Sequence, residues 1–88
     1  MACYVVAYDL NTVGQNYDCI IGKIKAFPNC HAQKSVWFVE YVGSEASLRD
    51  HLRPCLDSND RLFVSEVSRT WAGQNMPTCG KWLNERGY

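Results

Sequence analysis

Ser35-Val36-Trp37-Phe38-Val39-Glu40-Tyr41-Val42 is the stretch on which the fold turns. Its β-branched and aromatic residues make it the strongest strand signal in the chain. Apolar groups fall at both odd and even positions, so both faces of this strand need cover. The run reaches back to Cys30, long for one flat strand, and Gln33-Lys34-Ser35 is read as a bend or bulge dividing it. Cys3-Tyr4-Val5-Val6-Ala7-Tyr8 has the same two-faced character and is stopped by Asp9-Leu10-Asn11. It reads as an interior strand.

Between these strands, Tyr17, Ile20, Ile21, Ile24 and Phe27 recur at steps of three and four. That spacing predicts an amphipathic helix over residues 15–27, entered after a loop closed by Gly14 and ended by Pro28-Asn29. After Gly43, Ser44 is placed to cap a second helix with Glu45 in its first turn and Ala46, Leu48 and Leu52 inward, ending before Pro54. Asp57-Ser58-Asn59-Asp60 is a turn cluster, and residues 61–67 form another strand. Residues 68–75 are less regular, and Thr78, just after Pro77, is placed to cap a short helix through Trp82 and Leu83. The order predicts one α+β domain over residues 1–88: a ferredoxin-like βαββαβ sheet with two helices on one face. Its core spans about 2–67, with a short C-terminal helical appendage over about 68–88.

Helices on one face leave the other bare. Tyr4, Val6, Tyr8, Val36, Trp37 and Phe38 are therefore assigned to a dimer or partner surface, because an uncovered apolar patch of that size is unusual on a soluble monomer. A two-fold homodimer through the sheet is the expected cover, and the segment from Trp71 to Trp82 is the other candidate.

Composition narrows the function classes. With 47% hydrophobic residues and a formal net charge of zero, the chain is neither a disordered tail nor a protein that coats nucleic acid by bulk charge. No apolar run approaches the roughly 18–20 residues of a membrane span, and no signal-peptide pattern opens the sequence. Five cysteines, an odd number with no Cys-x-x-Cys pair, read as reduced thiols of a cytoplasmic protein. A zinc set from Cys30, His31, His51 and Cys55 is conceivable, but its spacing is unspecific and Pro54 interrupts it, so ordinary buried thiols are preferred.

Two segments together resemble a known family. Tyr4-Val5-Val6-Ala7-Tyr8-Asp9-Leu10 is similar to the first strand of the small ferredoxin-like CRISPR-associated endonuclease, which ends in Tyr-Asp. Gln33-Lys34-Ser35-Val36-Trp37 resembles the same family's Gln-x-Ser-Val-aromatic segment. Ser-Val-Trp, Tyr17 in the first helix and Asp57 or Asp60 before the last strand bring it closer to the SinR-like and virulence-associated protein D-like relatives. The resemblance implies a metal-dependent nuclease with Asp9 as the catalytic and metal-binding carboxylate. Ser35 and Tyr17 join Asp9 as candidate catalytic residues.

The residues themselves allow this chemistry. Asp9 ends an interior strand, where loops open. Two Asp9 side chains facing across a dimer axis would repel unless protonated or bridged by a cation, for which Mg²⁺ is the hard, oxygen-seeking choice. Against this stand plainer roles: Asp9 accepting loop hydrogen bonds, Ser35 satisfying the bend, Trp37 in the core, and Lys34, Arg61 and Arg69, weighed also as phosphate-binding groups, as solvated charges. Trp37 and Trp71 are also weighed as base-stacking groups. His31 and His51 have no visible catalytic partner. Two functions follow as expectations. The first is a small dimeric metal-dependent nuclease acting on RNA, or on DNA, of toxin or defence type. The alternative is a non-catalytic module that binds a protein partner as scaffold, regulator or inhibitor.

Overall fold

The computed structural model describes residues 1–11 and 17–88. The expected loop at Gly14 and the first two residues of the expected first helix lie outside the described residues. The order is β1 (Ala2–Asp9), α1 (Asp18–Lys25), β2 (Asn29–Gln33), β3 (Val36–Tyr41), α2 (Glu45–Leu52), a 3₁₀ turn (Arg53–Cys55), β4 (Arg61–Glu66) and α3 (Pro77–Glu85). The strands form one sheet in the order β2-β3-β1-β4, every neighbouring pair antiparallel. The domain is α+β, as its alternating pattern predicts.

The bend at Gln33-Lys34-Ser35 is the β2–β3 turn, with an irregularity between His31 and Gln33 that absorbs one extra residue. β1 lies in the interior of the sheet, paired with β3 along one edge and β4 along the other. Ser44 caps α2 as expected, its hydroxyl accepting from the Ser47 N–H at 3.1 Å. Thr78 is not a cap: α3 begins at Pro77, whose missing N–H costs nothing in the first turn, and Met76 takes the cap position, so the helix starts two residues earlier. At the end of β3, Gly43 has φ +142°, and its carbonyl accepts from the Tyr4 hydroxyl at 2.5 Å. A Cβ there would lie 2.7 Å from the Tyr41 ring, so this turn requires glycine.

The period-2 alternation of β1 sorts the core. Tyr4, Val6 and Tyr8 point to the helix side and pack with Trp37, Val39, Ile20, Ile24, Leu48 and Leu52. The Trp37 indole donates to the Tyr8 hydroxyl at 3.1 Å, satisfying a buried N–H. This corrects the expected partner surface. Tyr4, Val6, Tyr8 and Trp37 lie at 0–3% exposure beneath α1 and α2. Only Val36 and Phe38 of the six remain half-buried on the opposite face. The reason is parity: even residues of β1 pair with odd residues of β3, so those four share the covered face.

The opposite face is covered in part by the C-terminal segment. α3 lies against β2 and buries Cys79 and Leu83. Glu40, buried at 8% exposure, receives Arg86 through a salt bridge and the Tyr88 hydroxyl at 2.8 Å. The Trp71 indole donates to the Tyr88 carbonyl at 3.2 Å, and Arg69 donates to the Gly87 carbonyl at 3.2 Å. The segment is thus a strap, fastened at both ends.

Four of the five cysteines are paired, which overturns the expectation of reduced thiols. Cys19–Cys55 joins α1 to the 3₁₀ turn after α2, and Cys30–Cys79 joins β2 to α3, with Cα–Cα distances of 5.5 and 5.8 Å. The partners lie 36 and 49 residues apart, so no local spacing announced them. By loop-closure entropy each stabilises the fold by about 4 kcal/mol relative to the open chain. Disulfides persist under oxidising conditions, so the expected cytoplasmic address loses the thiol argument on which it rested. Among the described residues, no helix is long and apolar enough to cross a membrane.

Cys3 is the unpaired cysteine and is buried opposite Glu40. Burial, reinforced by the Glu40 charge, raises its thiol from the ordinary 9.0 to about 11. Burial and the hydrogen bond to Glu40 push the Tyr88 phenol from 10.0 to about 12. Both groups hold their protons longer folded than unfolded, so the stability they contribute is full below about pH 9 and is lost as pH rises from about 9 to 12. Urea midpoints measured across that range are expected to drop, and the combined Cys3→Ala, Tyr88→Phe variant is expected to flatten the fall. Thiol titration without reductant is expected to find no fast-reacting cysteine in the native protein and one after unfolding. Five thiols in the unfolded, unreduced protein would contradict both disulfides.

Candidate functional site

Odd residues of β1 face away from α1 and α2, and this places Asp9 on the helix-free side of the sheet. Its register partner is Arg61, the first residue of β4, and the preceding pair on that face is Ala7 with Phe63. On the other flank Val36 is the partner of Ala7. The Tyr8 N–H donates to the Ser35 carbonyl at 3.1 Å, extending the ladder into the β2–β3 turn and holding Ser35 beside the end of β1. The result is a groove of about 260 Å³ lined by Ala7, Asp9, Ser35, Val36, Arg61 and Phe63.

The floor is shallow because Ala7 is short, and its larger cross-strand neighbours stand as walls. Phe63 is 62% exposed, unusual for an aromatic residue and without cover from the strap. Asp9 and Arg61 are both exposed, and among the described residues neither side chain makes a hydrogen bond or ion pair. A carboxylate, a guanidinium, a hydroxyl and an aromatic ring therefore share one opening.

Of the expected catalytic trio, Asp9 and Ser35 come together. Tyr17 does not line this groove. Its ring packs 6.0 Å from that of Tyr8, which points to the helix side, so the sheet stands between Tyr17 and the Asp9 side chain. Asp60 has a fastening role: its carboxylate accepts from the Asn11 N–H at 2.9 Å and from the Asp57 N–H at 2.8 Å. These bonds tie the residue after Leu10 to the loop before β4. His31 stacks flat on Trp37, with ring centroids 3.9 Å apart, and His51 meets Phe27 edge-on at 5.7 Å. Neither lines the groove. Cys30 and Cys55 belong to different disulfides, which removes the conceivable zinc set.

Among the described residues no group of three or more His, Cys, Asp or Glu side chains is gathered as a metal cluster. One chain thus offers Asp9 as a single carboxylate. That suits Mg²⁺ only as part of a ligand set, since this ion is commonly held by one or two carboxylates together with water and substrate phosphate.

Phe63 is the residue that sequence reasoning missed. The signal was present: in Arg61-Leu62-Phe63-Val64, Leu62 and Val64 alternate inward, which leaves Phe63 with Arg61 on the open face. Its position beside Asp9 required the β1–β4 register, a long-range pairing. No protein-family model matches the chain, and no solved structure matches it.

Proposed function

We propose that the chain is a ferredoxin-like domain acting as a small, dimeric, metal-dependent nuclease on RNA, related to the CRISPR-associated endonucleases and their SinR-like and virulence-associated protein D-like relatives. The sheet order supports the fold: β3 sits between β1 and β2, and β1 sits between β3 and β4, so two β-α-β units interlock. The observation that carries the function is Asp9 beside Ser35 in a groove on the helix-free face.

In this reading two copies pair across that face through Val36 and Phe38, leaving Phe63 uncovered, and Asp9 of each approaches the axis. The two carboxylates would hold Mg²⁺, which supplies Lewis acidity and an acidified water ligand to phosphodiester hydrolysis. Asp9 would hold the cation that offsets the phosphate's charge, Ser35 would offer a hydroxyl to a phosphate oxygen, and Arg61 would add positive charge beside it. Tyr17 acts through Tyr8 as a support.

A specific observation favours the second reading, a non-catalytic module for a protein partner. A second hollow of about 280 Å³ lies between the sheet and the strap, with Val5, Phe38, Trp71 and Met76 in its wall. Together with the zero net charge, this apolar lining suits a peptide side chain better than a phosphate backbone.

Cleavage of single-stranded RNA and duplex DNA with Mg²⁺ or Mn²⁺ separates the two. Wild type is expected to cleave RNA, and Asp9→Ala is expected to lose at least about a hundredfold in rate. Equal cleavage by both proteins would refute the Asp9 mechanism, and no cleavage by either would favour the interaction module.

A further inference from the structure

We infer that the groove beside Asp9 is a subsite for one unpaired nucleotide of single-stranded RNA, with the base stacked on Phe63 and the adjoining phosphate on Arg61; this rests on the RNA-nuclease reading for its choice of ligand. Three features carry it. Phe63 presents an exposed ring that neither the strap nor a neighbouring strand covers. Its cross-strand partner is Ala7, so beside the ring there is a shallow hollow and not a packed side chain. Arg61 stands two residues along the same face, and its guanidinium has no partner among the described residues.

A flat aromatic wall and a guanidinium on one rim match the two chemical parts of a nucleotide, a base and a phosphate. Stacking on an aromatic side chain is tolerant of base identity but requires an unstacked base, which a duplex does not offer. The chain's zero net charge excludes strong bulk attraction, so recognition here depends on this local pair. Asp9, across the strand from Arg61, repels the same phosphate unless a cation intervenes.

The test is fluorescence anisotropy with a short labelled oligoribonucleotide lacking self-complementarity, with divalent ions chelated so that binding is read without cleavage. Wild type is expected to bind it in preference to the same sequence as a duplex. Phe63→Ala is expected to weaken binding about tenfold, Phe63→Trp to retain it, and Arg61→Ala to weaken it and to lower its salt dependence. Asp9→Ala is expected to bind at least as well as wild type. Binding equal in wild type and Phe63→Ala, loss in Phe63→Trp as great as in Phe63→Ala, or preference for the duplex would each overturn the subsite. Wild-type binding without cleavage in the presence of Mg²⁺ would leave the subsite standing and remove the nuclease reading. Cleavage without this binding pattern would do the reverse.

Discussion

Everything in this domain follows from a central strand that must be covered on both faces. β1 pairs along both edges, so its backbone is satisfied, and Cys3, Tyr4, Val6 and Tyr8 are all buried. The even residues receive α1 and α2, which a βαββαβ order supplies automatically. The odd residues receive nothing from that order. Their cover is the C-terminal strap, which reaches Cys3 and Glu40 but stops short of Ala7 and Asp9. The candidate site is the part of β1 that the strap leaves open.

The strap is held by polar and covalent fastenings as well as by apolar contacts. Leu83 and Cys79 are its only fully buried side chains among the described residues of α3. Glu40 would be costly in an apolar interface, and Arg86 and Tyr88 offset that cost. Cys30–Cys79 then fixes the strap to the edge strand β2, while Cys19–Cys55 does the same for the helical layer. A chain of 88 residues buries a limited share of its unfolded surface, and cross-links are a usual supplement at this size.

Local structure was legible wherever a pattern is local. Ser44 as a cap, the bend at Gln33-Lys34-Ser35 and the inward stripe of Leu48 and Leu52 were all written in adjacent residues. What sequence concealed depends on long-range register. The parity between β1 and β3 decides that Trp37 is core while Phe38 is not, and a strand apolar on both faces gives no hint of that parity. The disulfides join residues far apart in sequence, and an odd cysteine count argued against them. At the site, Asp9 and Ser35 were readable as candidates and Arg61 as one of three phosphate-binding cations, whereas Phe63 acquired a role, and Arg61 its place, only through pairing with Ala7 and Asp9.

The central claim is that the open end of the helix-free face is the working surface. Amide chemical-shift mapping on titration with a single-stranded oligoribonucleotide tests it most directly. The largest shifts are expected at Asp9, Ser35, Arg61 and Phe63. Shifts confined to α1 and α2, or none at all, would contradict it.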